Sequence, residues 1–131
     1  MHLQILTPEK TTFDGEIDSV RVPGEAGSFE ILNKHAPILA SLLLGDVRIR
    51  VAGKDTHYHV AGGFIEFSHN KGVILADAAE KVGEIDLERA KAARERAEKR
   101  IRNTAHVDTL RAQKALMRAL SRERFVEKFH G

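Results

Sequence analysis

The sequence predicts an α+β protein: a β domain over residues 1–84, then an antiparallel two-helix hairpin over residues 85–131. Three observations predict it. All three prolines (Pro8, Pro23, Pro37) and nine of the ten glycines precede Ile85, the last glycine being Gly131. Gly and Pro interrupt helices and make turns, so the first part is turn-rich and the second is free to be helical. The hydrophobic period changes at the same place, from alternation to helical spacing. The charge changes sign there too. Residues 1–84 hold 8 Lys+Arg against 12 Asp+Glu, a net of −4, and residues 85–131 hold 13 against 7, a net of +6. The halves are therefore suited to different surfaces.

Within the β part, Val47-Arg48-Ile49-Arg50-Val51 alternates as a half-buried strand does. His2–Leu6, Ser19–Val22, Ser28–Leu32, Thr56–Ala61, Phe64–Ser68 and Val73–Ala76 are further strand candidates. Turn signals separate them at Asp14-Gly15, Pro23-Gly24, Leu44-Gly45-Asp46, Ala52-Gly53-Lys54 and Asn70-Lys71-Gly72. Gly62-Gly63-Phe64 reads as a tight strand-to-strand turn, because it lacks the GK[ST] ending of a phosphate-cradling loop. Short strands at this spacing indicate a sandwich or flattened barrel, and no strand–helix alternation points to a parallel sheet.

In the helical part, Asp86 is positioned to cap the first helix. Leu87, Ala90, Ala93, Ala97 and Ile101 form one stripe. Asn103-Thr104-Ala105-His106 reads as the turn, with Thr104 or Asp108 capping the second helix. Leu110, Lys114, Met117, Leu120 and Phe125 continue an apolar stripe there. Because alanine buries little area, at about 25 cal/mol per Å2, the hairpin is expected to pack closely but weakly and to open.

Composition excludes several function classes. The chain has no cysteine, which removes disulfides, thiol nucleophiles and thiolate metal sites. No apolar run approaches the roughly 18 residues that cross a bilayer, and the opening Met1–Leu6 segment is too short and polar for a secretory signal. Direct membrane insertion is not expected. His57 and His59 share a strand face and, with His69, suggest a metal, but no acid or thiol stands at ligand spacing, so no metal is expected. No nucleophile, metalloprotease or P-loop motif is present, so no catalytic residue is assigned. A pI near 9.0 admits nucleic acid, yet few aromatics and seven acids interrupt the basic half, so nucleic-acid binding is not expected.

Two segments remain. Pro23-Gly24-Glu25-Ala26-Gly27-Ser28 leads through Phe29-Glu30-Ile31-Leu32 into Asn33-Lys34-His35-Ala36-Pro37, and reads either as a plain connection or as a recognition surface. Arg89 and Arg96 are seven apart on the first helix, and Arg118 and Arg122 four apart on the second. Closing the hairpin would let both pairs converge on one anion through bidentate hydrogen bonds. The spacing equally fits a solvated face with ion pairs such as Glu95 with Lys99.

Several motifs in order carry a resemblance. Pro23-Gly24 through Ile31-Leu32, His35-Ala36-Pro37, Gly62-Gly63-Phe64-Ile65-Glu66, Ala76-Asp77-Ala78-Ala79-Glu80 and Ile85-Asp86-Leu87-Glu88-Arg89-Ala90 together resemble the epsilon subunit of bacterial F-type ATP synthases, over essentially the whole chain. The resemblance implies a ten-stranded β-sandwich followed by a two-helix domain. It implies a non-catalytic rotor subunit bound to the gamma subunit and the c-ring, with transient contact to alpha and beta. Such a subunit serves proton-coupled ATP synthesis at the cytoplasmic face of the bacterial inner membrane, and needs no cofactor. By motif, Gly27, Ser28, Phe29, Glu30 and Ile31 match the ring-facing segment, and His35, Ala36 and Pro37 the segment near gamma. In some members the helical domain binds ATP as a regulatory ligand and impedes ATP hydrolysis. The matching positions are Glu80, Ile85, Asp86, Arg89, Arg96, Arg118 and Arg122. One departure is that Gly27-Ser28-Phe29-Glu30-Ile31 stands where many relatives have Gly-Glu-Leu-Gly-Ile. Glu30 replaces the second glycine, so the backbone there must avoid glycine-only conformations.

Overall fold

A computed structural model describes residues 1–85, 87–103 and 109–130. The chain divides into two compact units, Met1–Lys81 and Val82–Gly131.

The first unit holds eight strands: β1 (His2–Leu6), β2 (Thr11–Glu16), β3 (Ser19–Gly24), β4 (Gly27–Leu32), β5 (Ile38–Val51), β6 (Lys54–Ser68), β7 (Lys71–Ala76) and β8 (Ala79–Lys81). Their order is β2-β1-β7-β6-β5-β3-β4, with β8 also on β6. All pairs are antiparallel except β1 with β7, which run parallel. The C-terminal half of β6, Gly63 to Ser68, pairs with β7, while Tyr58 to Val60 pair with β8 along the same edge. Likewise, β3 pairs chiefly with the C-terminal half of β5, Arg48 to Arg50. The two long strands thus pass from one layer to the other. Alternate side chains of both layers (Leu3, Ile5, Ile65, Phe67 and Ile74; Val20, Val22, Ile31, Val47, Ile49 and Val60) meet in one buried core.

The expected β-sandwich is present with eight strands rather than ten. Gly45 and Gly62-Gly63 lie inside β5 and β6, not in turns. Register across the β5–β6 pair runs unbroken from Ile38↔Phe67 to Val51↔Lys54, so each long strand supplies what a motif count takes as two. The glycine requirement is real, but its cause is different. Gly62 and Gly63 have φ of 87° and 118°, and a Cβ on Gly63 would lie 2.0 Å from the Leu75 carbonyl oxygen. Glycine there admits the close approach of β7 to a strand that changes layer.

True turns close the β6–β7 and β5–β6 hairpins. His69 and Asn70 have φ of 51° and 59°, and Ala52 and Gly53 have φ of 51° and 77°. Each pair is a two-residue connection with both residues left-handed, the conformation that matches the twist of the flanking strands.

The second unit holds a short 3-10 helix (Val82–Glu84), α1 (Leu87–Asn103) and α2 (Thr109–His130). Ile85, Ala90, Phe125 and Val126 are buried together, with Val82, Leu87 and Phe129 packed on them, which sets the start of α1 against the end of α2. Ala90 and Ala97, and Ala112, Ala119 and Val126, are buried at heptad spacing, so the seam between the helices is largely alanine. The stripe on α1 lies where its period places it. On α2 the periodicity reading holds at Phe125, which is buried, and misses earlier in the helix: Leu110 and Met117 are 59% and 62% exposed, and Lys114 is exposed. The buried face is rotated onto the alanines, because small side chains admit the closest helix approach and Leu110 and Met117 lie off that line. The capping position Asp86 and the turn residues Thr104 to Asp108 lie outside the described residues.

Candidate docking surfaces and regulatory site

β4 is an edge strand, and its positions divide by parity. Ser28 and Glu30 are exposed, while Phe29 packs against the core and Ile31 is fully buried. Ile31 therefore seats β4 in the sandwich, and a direct partner contact is left to Gly27, Ser28 and Glu30. Glu30 has no positive φ, so the backbone adopts a conformation open to any residue, as its replacement of glycine requires. Its carboxylate forms an ion pair with Arg48, Oε1 to Nη2 at 3.1 Å. Arg21 stands between them in register, opposite both Glu30 and Arg48.

The segment after β4 is exposed but held. Lys34, at φ 64°, donates its N–H to Asn70 Oδ1 at 2.8 Å. The His35 N–H donates to the Leu32 carbonyl at 3.2 Å, and its ring stands edge-on to Phe67 at 6.3 Å. His35, Ala36 and Pro37 are exposed on this frame. Beside them, Pro37, Ile38, Leu39, Glu66, Phe67 and Ser68 line an open depression of about 420 Å3.

A wider apolar surface continues across the strands. Leu39 (74% exposed), Leu43, Phe64 and Leu75 point outward from β5, β6 and β7. Register puts Ser41, Phe64, Leu75 and Leu6 in one cross-strand row. A second depression, of about 360 Å3, lies between Leu6, Pro8, Phe64, Leu75 and Asp77. A strand with one solvated face alternates apolar and polar residues, whereas Ile38-Leu39-Ala40-Ser41-Leu42-Leu43-Leu44 is apolar at both parities. That run was the available signal for this surface, and motif reading passed over it.

Charge in the β unit gathers on β5 and β6. Arg50 and Asp55 form a two-point ion pair at 2.7 and 3.1 Å beside the Ala52-Gly53 turn. The hydrogen bond to Asp55 raises the Arg50 pKa, and that to Arg50 lowers the Asp55 pKa. His57 Nδ1 lies 3.0 Å from Asp46 on the adjacent strand, a partner that sequence spacing did not reveal. His59 is buried. Among the described residues no three His, Cys, Asp or Glu side chains cluster as metal ligands.

The positions matched to ATP binding fall in both units. Glu80 is half-buried on β8, opposite His59 in register. Ile85 is 6% exposed within the apolar cluster of the helical unit, so it supports the fold there. Arg89 and Arg96 are exposed on α1, as is Arg118 on α2, while Arg122 is half-buried. Asp86 lies outside the described residues. One contact across the helices is one that arginine spacing missed. Arg94 Nη1 reaches Glu123 Oε1 and Oε2 at 3.1 and 3.0 Å. Arg94 sits four residues after Ala90 and three before Ala97, and Glu123 four after Ala119. Both are thus on the seam, and the heptad spacing of the alanines could have found them.

The chain joins a β-sandwich with an apolar outer surface to an arginine-rich, alanine-seamed hairpin. Residues 1–82 match the family model of the ATP synthase delta/epsilon chain β-sandwich domain, and residues 84–126 match that of its long α-helix domain. The ATP synthase epsilon chain of Nitratidesulfovibrio vulgaris is 43% identical over 125 residues, covering 95% of this chain and 93% of that protein. That of Desulforamulus reducens is 44% identical over 126 residues, covering 95% and 96%. Among solved structures, a chain of the Euglena gracilis mitochondrial ATP synthase (OSCP/F1/c-ring) superimposes with a TM-score of 0.81 at 20% identity, over 95% of this chain and 79% of that one. A chain of the Tetrahymena thermophila mitochondrial ATP synthase central stalk and c-ring gives 0.62 at 23%, over 98% and 94%. At those identities the two structures speak to the fold. The chain belongs to the ATP synthase delta/epsilon chain family, as a non-catalytic subunit of the F-type complex. No helix among the described residues is long and apolar enough to cross a membrane.

Proposed function

We propose that this chain is the epsilon rotor subunit that fastens gamma to the c-ring of a proton-translocating F-type ATP synthase, within the F1 sector at the cytoplasmic face of the bacterial membrane. The observation that carries the reading is the set of exposed apolar side chains Leu39, Leu43, Phe64 and Leu75 on neighbouring strands of the sandwich. A contiguous apolar surface of this kind marks a protein interface. Gamma is the partner assigned to it, and the exposed Ser28 and Glu30 of edge strand β4 face the polar loops of the ring. In a pull-down with gamma at micromolar concentration, the chain forms a stoichiometric complex, and Leu39→Lys with Phe64→Ser loses it while the β domain stays folded. Absence of binding by the unsubstituted chain sinks the proposal.

The helical unit supplies a second role. Exposed Arg89, Arg96 and Arg118, with Arg122, motivate a hairpin that closes on ATP and, when open, restrains ATP hydrolysis. Calorimetric titration with ATP tests it: Arg89→Ala with Arg122→Ala abolishes the heat of binding. Unchanged affinity in that double variant removes the site named here.

A further inference from the structure

Beyond the apolar cluster of Ile85, Ala90, Phe125 and Val126, the described seam between α1 and α2 buries Ala97, Ala112 and Ala119, and the ion pair of Arg94 with Glu123 crosses it. Glu123 is 7% exposed, and both its oxygens meet the same nitrogen of Arg94. An alanine seam has little side-chain relief to fix its register, whereas a buried carboxylate left without its cation is strongly penalised. The pair thus discriminates the closed register from its neighbours, as a single polar seam position does in coiled coils. Arg94 has a second acid at hand. Glu98, one turn on along α1 and 41% exposed in its side chain, places Oε1 3.7 Å from Arg94 Nε. That distance is within ion-pair range but beyond a hydrogen bond. Arg94 Nε is buried and makes no hydrogen bond. One donor of Arg94 is therefore unused while the helices are together, and the group that can take it lies just out of reach.

We infer that Arg94 is a two-position switch: it locks the closed hairpin through Glu123, and on opening it passes to Glu98 on its own helix. The exchange gives the released arginine a partner and returns Glu123 to water, so opening leaves neither charge buried and unpaired. Glu98 thus favours the open hairpin and Glu123 the closed one. The inference deepens the reading of a hairpin that opens and rests on it.

The chain has no cysteine, so Lys99→Cys and Gln113→Cys, both exposed and on opposite helices, take spin labels cleanly. Inter-label distances are measured in the full chain at the temperature where the unsubstituted hairpin is half open. Glu123→Gln lowers the closed-to-open ratio about tenfold, and Glu98→Gln, a surface change that leaves the seam intact, raises it about twofold. An unchanged ratio in either variant overturns the switch, and so does loss of helix content in Glu123→Gln without an effect of Glu98→Gln. A hairpin that stays closed until the β domain melts overturns instead the mobile-hairpin reading beneath it.

Discussion

Single residues carry constraints that the composition does not show. Gly63, at φ 118° and with the Leu75 carbonyl where a Cβ would lie, has no substitute. Gly63→Ala is expected to destabilise the β unit by at least about 3 kcal/mol, read from denaturant unfolding of the β domain. The opposite change is available eleven residues earlier. Ala52 holds φ 51° at the first position of a two-residue turn, followed by Gly53. Asn is preferred at such a position because its side chain tolerates the left-handed region. The Ala52 backbone N–H donates to Asp18 Oδ2 at 2.7 Å, a bond that a side-chain exchange retains. Ala52→Asn is expected to stabilise by about 0.5–1 kcal/mol, visible as a raised midpoint in the same unfolding experiment.

Among the elements, the β5–β6 pair is the spine, since every other sandwich layer hangs from its two long strands. Its end is clamped by Arg50 and Asp55. The Asp55 carboxyl is held below its ordinary 3.8, chiefly by the Arg50 hydrogen bond. Its contribution is therefore present above the unfolded value and lost as pH falls through the lowered one. The pair is open to solvent, so the effect is small. Asp55→Asn is expected to lower the β-domain melting temperature slightly at pH 7, a gap that closes as pH falls through the lowered Asp55 value and the carboxyl is protonated. A gap that persists at low pH would show that the ion pair is not its source. The helices are held differently. Each buried alanine methyl contributes about 0.8 kcal/mol, against about 1.5–3 for a buried leucine or valine of the sandwich. Amides of α1 and α2 are therefore expected to exchange hydrogen faster than those of β5 and β6. Equal protection in the two would contradict a weakly held hairpin.

At the scale of the whole molecule, two units of opposite charge character meet different demands. The acidic sandwich gains stability from a continuous core and exposes Leu39, Leu43, Phe64 and Leu75 on its outer face, the surface proposed to meet gamma. The basic hairpin has little core, apart from Ile85, Ala90, Phe125 and Val126, and the regulatory role proposed for it requires that it part with ease. Much of this division was legible in advance. The placement of glycine and proline, the change of hydrophobic period and the motif order identified an α+β chain, and the comparisons place it in the family those motifs indicated. The four arginines were legible as two spaced pairs, whereas Gly27 to Ile31 were named together by motif and only the structure separated exposed Ser28 and Glu30 from the rest. Ile31 and Ile85, named by the same motifs, turned out to be core residues, since a motif records which residues recur and not which way they point.

Amino-acid order alone determined where strands give way to helices, which positions must be glycine, and which surface is acidic and which basic. These are local properties, set by backbone sterics, side-chain period and formal charge. The tertiary structure decided that Gly45 and Gly62-Gly63 bend two long strands rather than end four short ones. It brought Leu39, Phe64, Leu75 and Leu6 onto one surface, and it turned α2 so that its alanines meet α1 and Glu123 meets Arg94. Each of these depends on residues far apart in the chain, and which contacts they make follows from packing that no single segment encodes.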